Sequence, residues 1–401
     1  MPRTRLLLLL AALTAIGPMS LDLYLPAFPA IARTFGTDTG SVQLTMSACL
    51  LGLGIGQVLW GPTSDRYGRK RPLLIGLGIF LVASLLIMVA PSLALVVALR
   101  FVQALGGSAG IVVARACVRD LFAGVELARA MSTIVTVFAL APVVAPLIGS
   151  AILVIAPWPW MFAALAVFAG LCMIGVAFMP ETLPAARRTD HGFVGAMRQY
   201  RTILANRNFR YAAALAALGS TALFSYISGS PAALMGTYGM SAGAFALTFA
   251  GLSLCFAFGA QVNRRLLRTH PVVRLLRANV TTQFIASCLV LAGALLAVRL
   301  PFFLAPLVIA LMTVAGVNSN AMALALDPFP GSAASAAALV GGLQMLMGAI
   351  ASAALSAMTM SPPVEMGLGM TIAGAVAITL VLRTLVHDRQ RAIGPISEPV
   401  T

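Results

Sequence analysis

The chain alternates long apolar runs with short polar interruptions. Twelve runs are each near the roughly 20 residues that a helix needs to cross a bilayer. They cover about 6–32, 41–60, 72–90, 93–117, 128–153, 158–179, 209–230, 243–262, 275–297, 301–325, 332–356 and 365–386. Lipid offers the backbone no hydrogen-bond partner, so runs of this length are expected to be helices. The pattern therefore predicts an all-α membrane protein of twelve transmembrane helices. Interruptions such as Ala90-Pro91-Ser92, Ala156-Pro157-Trp158-Pro159 and Pro231 to Ala242 are short and nearly uncharged. The one long polar stretch, Pro180 to Arg207, carries Arg187, Arg188, Arg198, Arg201 and Arg207 and divides the spans six and six. This gives an N-terminal six-helix bundle over 1–180, a basic linker over 181–208, a second six-helix bundle over 209–386 and a tail over 387–401. The start, Met1-Pro2-Arg3-Thr4-Arg5 followed by Leu6 to Leu13, imitates a signal peptide. No Ala-x-Ala site follows it, so it is read as a retained first span.

Composition agrees with the pattern. Of 401 residues, 60% are hydrophobic and 9% charged, where a soluble domain carries about 25% charge. The net charge of +15 would suit nucleic acid, but its placement argues for topology instead. Of the 26 Lys and Arg, all but Arg33, Arg100 and Arg299 fall at the termini or in every second loop. That asymmetry is the positive-inside rule and puts both termini in the cytoplasm, with Trp158 and Trp160 as anchors at the outer interface. Nucleic acid is not an expected partner; the lipid bilayer is. The five cysteines sit in or beside apolar runs with no metal-ligand spacing and read as small core residues. His191, His270 and His387 lie in inner loops or the tail. No paired acids, nucleophile or phosphate loop appears, so no enzyme, metal site or cofactor is expected.

Between the second and third spans stands Gly61-Pro62-Thr63-Ser64-Asp65-Arg66-Tyr67-Gly68-Arg69-Lys70-Arg71, a charged turn punctuated by glycine. An ordinary stop-transfer hairpin explains its Arg and Lys but not its Asp and Gly. The pattern Gly-x-x-x-Asp-Arg-x-Gly-Arg-Lys resembles the loop between the second and third helices of the major facilitator superfamily. A fainter copy, Gly259-x-x-x-Asn263-Arg264, follows the second span of the other half. It has lost the acid and the Gly-Arg-Lys tail. Such internal repeats are typical of transporters.

Charges inside the spans are few. A charge at the bilayer centre costs about 2.5–3.5 kcal/mol on insertion scales. Asp22 lies within Ser20-Leu21-Asp22-Leu23-Tyr24-Leu25-Pro26, and Arg100 early in the fourth span. At about 1.5 Å per residue, Asp22 is roughly 24 Å from the inner end of its span and Arg100 roughly 10 Å from the outer end. Both fall in the outer half of the membrane, at depths that allow one shared cavity. The plain alternatives are an interfacial acid for Asp22 and snorkelling for Arg100. The functional alternative is a proton site: desolvation disfavours a charged carboxylate, so Asp22 can gain and lose H⁺, with Arg100 tuning the exchange.

Three further stretches narrow the resemblance to the Bcr/CflA group of drug:proton antiporters. They are Asp22 to Ile31, Ala114 to Phe122, and Ala323 to Pro330, where Asp327 stands in place of the more usual Glu. The resemblance implies that Asp22 carries protons and helps bind substrate, and that Arg100, Gln103 and Gly106 form a proton-transfer motif. In the fifth span, Ala141-Pro142-Val143-Val144-Ala145-Pro146-Leu147-Ile148-Gly149 resembles the antiporter motif Gly-x-x-x-Gly-Pro-x-x-Gly, with Ala141 and Ala145 where the family usually has Gly. Pro142, Pro146 and Gly149 are its candidate residues, and small-residue packing is the alternative use. The resemblance also implies a cytoplasmic latch of Gly61, Asp65, Arg66, Gly68, Arg69 and Asp120, with an acid capping the eleventh helix near Ser332. Tyr24, Gln57, Gln103, Tyr226, Asn318 and Gln344 are polar groups in apolar spans; they line a cavity or bond between helices. The implied activity is proton-coupled efflux of small-molecule drugs across the bacterial inner membrane by a monomer. A proton-coupled nutrient importer is the alternative.

Overall fold

The computed structural model describes residues 3–188 and 192–392. Met1, Pro2, His191 within the linker and the tail beyond 392 lie outside the described residues, as does the side chain of His387. The first half comprises α1 (Arg3–Asp22), a 3-10 turn (Leu25–Ala27), α2 (Phe28–Phe35), α3 (Thr39–Tyr67), α4 (Lys70–Met88), α5 (Leu93–Leu121), α6 (Gly124–Ile155) and α7 (Pro159–Ala177). After a short turn comes α8 (Gly192–Ala205). The second half comprises α9 (Arg207–Ser230), a π-helical turn (Pro231–Thr237), α10 (Ala242–Leu266), α11 (Val272–Leu295), α12 (Leu300–Leu326), α13 (Ala333–Ser356) and α14 (Pro362–Ala392). Among the described residues, twelve helical segments are long and apolar enough to cross a membrane, counting α1 with α2 and α9 with its π turn.

The first run is not one helix over 6–32. The ladder ends at Asp22, with Leu23 N–H still donating to Met19 O at 3.1 Å and Ala27 N–H to Tyr24 O at 2.9 Å. Pro26 and Pro29 have no N–H to carry the ladder further, so the chain passes through a joint and restarts at Phe28. Such breaks persist in membrane proteins only where the freed backbone is covered by protein. The seventh run is likewise longer than 209–230, passing into the π turn through Pro231.

The charged turn also differs from expectation. α3 continues through Gly61 and Pro62, leaving only Gly68 and Arg69 outside helix. Gly68 adopts φ +87°, a conformation that suits glycine and allows so short a reversal. Pro62 lacks the N–H that would bond Val58 O. The Tyr200 hydroxyl on α8 donates to that carbonyl at 3.5 Å. Within the expected linker, α8 is therefore a docked amphipathic helix. Tyr200 and Ile203 are buried while Arg198 and Arg201 face outward.

In the first half α1, α3 and α4 pack on α5, with α6 against α1 and α7 against α4; in the second, α9 packs on α12, α13 and α14, while α11 packs on α12 and α14. The halves meet where α3 lies along α13 and α6 along α10. At the face opposite Gly68, Ser352 Oγ donates to Gln43 O at 3.1 Å across this seam. Of the two expected tryptophan anchors, Trp160 is exposed. Trp158 is instead buried, donating to Thr34 Oγ1 at 3.0 Å.

Candidate functional site

The break after Asp22 creates the site. Asp22 is the last residue of α1 and is 3% exposed. It therefore lies inside the protein. Its Oδ1 has no hydrogen-bond partner. Two residues before it, Ser20 Oγ pairs with Cys49 Sγ of α3 at 3.7 Å. Tyr226 is buried too, and its hydroxyl also lacks a partner. Its ring stacks on Phe249 at 5.5 Å. Asp22 thus sits next to a joint in its own helix, and the turn Leu25–Ala27 of that joint packs against α10 of the other half.

Arg100 does not pair with Asp22. It is fully buried, and its Nη2 donates to Ser20 O at 2.8 Å. Its Nη1 donates to Ser20 Oγ at 3.1 Å and to Gln103 Oε1 at 2.5 Å. Gln103 in turn donates to Ser84 Oγ at 2.6 Å. The guanidinium lies 4.3 Å from the Tyr24 ring centre and 5.6 Å from that of Phe162, a cation–π seat. The charge is therefore solvated by protein, and its bonds to Ser20 pin the last turn of α1 two residues from Asp22. Sequence reasoning missed Ser20, Ser84 and Phe162, because serines and a phenylalanine in apolar runs carry no signal of their own.

Neither of two surface crevices reaches Asp22. One, about 780 Å³, opens at the Gly68 face between α3, α5, α8 and α13, lined by Asp65, Arg69, Arg119, Arg198, Tyr200 and Ser335. The other, also about 780 Å³, opens at the opposite face near Arg33 and Trp158. In this conformation the acid is enclosed by protein.

At the Gly68 face Arg69 is buried and joins two acids. Its Nη1 donates to Asp65 Oδ1 at 2.5 Å and to Ser64 Oγ at 2.9 Å, and its Nε donates to Asp120 Oδ2 at 2.8 Å. Burial works against the guanidinium's charge, but the bonds from Asp120 and Asp65 prevail and hold its pKa above the usual value. The expected cap of the eleventh helix is not made. Asp65 turns to Arg69 and is half-exposed, while Ser335 in the first turn of α13 donates to Gln199 of α8 at 2.9 Å. Arg66 points its charge toward the Tyr67 ring at 5.3 Å and joins neither acid.

The sequence profile of the Major Facilitator Superfamily matches residues 10–352. The chain belongs to that superfamily. Within it the chain falls in the Bcr/CflA-type group. It is 35% identical over 353 residues to the MFS-type transporter YdgK of Bacillus subtilis, covering 87% of this chain and 88% of the relative. It is 31% identical to Multidrug resistance protein D of Escherichia coli, covering 93% and 94%. It is 29% identical to a Bicyclomycin resistance protein homolog of Haemophilus influenzae, covering 90% and 91%. Among solved structures, the D-xylose-proton symporter superposes with a TM-score of 0.75 at 14% identity, covering 94% of this chain and 96% of that one. Like other superfamily members the chain is a secondary transporter and not an enzyme.

For a major facilitator protein, the remaining candidate residues fall into two groups. Some bond between helices: Tyr24 OH pairs with Thr45 Oγ1 at 3.0 Å, and Gln344 Nε2 donates to Ala216 O at 3.5 Å. Gln57 reaches Gly341 across the seam. Others keep free valences, as Asn318 Oδ1 does beside Gly219. The echo of the charged turn is a neutral knot. Asn263 and Asn320 exchange amide hydrogen bonds at 2.9 and 3.0 Å, and Asn279 donates to Asn263 Oδ1 at 3.0 Å.

Glu181, which reads as an ordinary linker acid, is part of the charged turn. Its carboxylate accepts from the N–H groups of Arg69 at 2.8 Å and Lys70 at 3.2 Å, capping α4, while Lys70 Nζ donates to Ala177 O at 2.6 Å near the end of α7. Partial burial opposes its charge, but the backbone donors and Arg188 outweigh that and keep its pKa below the usual range. The position right after the sixth span was the available signal.

The fifth span, α6, is continuous despite Pro142 and Pro146. Gly149 packs directly on Leu23 O, at the joint beside Asp22, and a Cβ there would overlap that oxygen. Backbone cannot yield as a flexible side chain does. Gly149→Ala is therefore expected to cut transport at least about tenfold by forcing the joint away, an overpacking cost of about 1–3 kcal/mol. Uptake in inverted vesicles, normalised to the folded protein in the membrane, checks it. Wild-type rates would show that the joint tolerates displacement.

Proposed function

We propose that this chain expels small-molecule drugs across the bacterial inner membrane in exchange for protons, by alternating access between its two halves. The observation that carries this reading is Asp22, a buried and unpaired carboxylate held at a helix joint where the halves meet. Its support from outside the chain is the likeness to relatives named for multidrug and bicyclomycin resistance. The Gly68 face is assigned to the cytoplasm because the arginines gather there. A proton arriving from the outer side neutralises Asp22. The neutral carboxyl no longer holds a cationic or polar drug, which leaves outward. Loss of the proton to the cytoplasm restores the charge and readies the cavity for the next drug. Arg100 keeps the last turn of α1 in place throughout through Ser20. The chain's own residues and protons suffice for this cycle, and a monomer is enough to perform it.

The test is transport in inverted membrane vesicles with an imposed pH gradient, across a panel including bicyclomycin and amphenicols. Drug addition is expected to release protons from the vesicle lumen for at least one compound. A panel that gives no proton movement, with the protein folded and inserted, would remove the proposal.

A further inference from the structure

The second half has its own turn between α10 and α11, and the charges of that turn have no counterparts. Six spans separate it from Gly68, so the two turns lie at the same face of the membrane. It is folded compactly by its backbone. Leu267 N–H donates to Asn263 O at 3.0 Å, Arg268 N–H to Arg265 O at 3.1 Å, and Arg274 N–H to Pro271 O at 3.0 Å. Asn263 turns inward to its knot with Asn279 and Asn320. Arg264, Arg265, Arg268 and Arg274 are all exposed.

The first half spends its cations within the protein. Arg69 holds Asp65 and Asp120, Lys70 bonds Ala177 O, and Glu181 caps the helix that follows. In the second half no acid stands in the sequence between Asp190 and Asp327. Asp327 ends α12, which packs on both α10 and α11. Among the described residues no ion pair joins it, or any other acid, to the four arginines. Helix dipoles account for only part of the cluster. Arg264 and Arg265, in the last turn of α10, suit the negative end of that helix. Arg274 stands in the first turn of α11, at a positive end, with no acid there to offset it. Arg268 lies between the helices. Interleaved with these cations, Leu266 and Val273 expose apolar side chains, at 41% and 43%. Cations alternating with apolar groups, at the ends of two spans, match an amphiphile with an anionic head.

We propose that the turn between α10 and α11 is a docking surface for anionic phospholipid: the arginines hold the headgroup phosphate, and Leu266 and Val273 lie against the first carbons of the acyl chains. Guanidinium groups suit this role, because their planar fork matches a phosphate. The two halves then relate to the bilayer differently. The first-half turn is closed on itself, while the second-half turn is held by the leaflet. A protein whose halves rock against each other thereby has one half moored. This rests on the Gly68 face lying at the membrane surface, and on neither the drug nor the proton carrier.

The experiment reads bound lipid after insertion, when the arginines' part in setting topology is over. Purified protein is equilibrated with mixed vesicles of phosphatidylglycerol and phosphatidylcholine and extracted into detergent. The lipids that stay bound are counted by native mass spectrometry. Wild type is expected to retain phosphatidylglycerol beyond its share in the vesicle. Arg268→Gln and Arg274→Gln are each expected to weaken that retention about fivefold, the equivalent of about 1 kcal/mol for one basic residue near an anionic surface. Arg268→Lys is expected to recover most of the loss, since lysine keeps the charge. Retention by wild type that does not favour phosphatidylglycerol, or retention unchanged in both glutamine variants, overturns the proposal. Displacement of the lipid by inorganic phosphate would mark a site for a soluble anion and overturns the lipid assignment. Binding is measured without transport, so a failure here leaves the exchange of drug for protons standing.

Discussion

Replacing Asp22 by Asn is expected to abolish concentrative drug transport while leaving the protein folded. The amide has nearly the volume of the carboxyl and suits a site that is almost fully buried. It cannot exchange a proton. One pH unit is worth about 1.4 kcal/mol, so for one-for-one exchange a two-unit gradient sustains about a 100-fold drug gradient. In Asp22→Asn that ratio should fall to about one, and drug addition should release no protons. Binding of an uncharged drug should survive better than binding of a cation, because the amide still offers hydrogen bonds but no charge. Vesicle accumulation at a series of imposed gradients separates loss of coupling from loss of binding. A ratio that still follows the gradient in the variant would mean that another group carries the proton.

The second large effect is expected at Arg69. Its guanidinium bonds Asp65, Asp120 and Ser64 from three directions. Arg69→Leu leaves Asp120, only 13% exposed, without its cation. Breaking a buried pair from one side costs about 3–5 kcal/mol, and the lower end applies here because Asp65 is half-exposed. Thermal unfolding in detergent should show a clear fall in the midpoint. Arg69→Lys should recover only part of it, since a single ammonium cannot reproduce the planar fork that reaches both acids. Full recovery by lysine would mean that charge alone holds the turn and that geometry matters little.

Much of this architecture was legible from run lengths, because lipid admits few ways to satisfy a backbone and arginine placement follows topology. The Asp22 and Arg69 side chains were legible for a related reason: charge is rare in such a chain, so each instance stands out. What escaped the sequence was relational. The joint at Leu23–Ala27 was invisible to hydropathy, since Pro26 and Pro29 sit among apolar neighbours that extend the run past it. Pro62 and Gly61 read as turn residues, yet α3 passes through them because Tyr200 takes up the carbonyl that proline frees. Arg100 and Asp22 share a depth, which allowed one shared cavity and left open whether they pair. The direction of the guanidinium toward Ser20 is set by helix rotation, which spacing alone does not give. Glu181 and the knot of Asn263, Asn279 and Asn320 depend on segments far apart in sequence meeting at one level.

The docking of Tyr200 onto Val58 has a practical consequence for anyone labelling the protein. A connector anchored at its middle has a fixed working length on each side of the anchor. A fluorescent tag or epitope inserted near Leu183 to Ala186 adds slack on one side and leaves the anchor seated. The same insertion between Tyr200 and Arg207 interrupts the last turn of α8, where Ile203 is buried, and displaces Asn206, which caps α9, so it disturbs the seat of the Tyr200 hydroxyl directly.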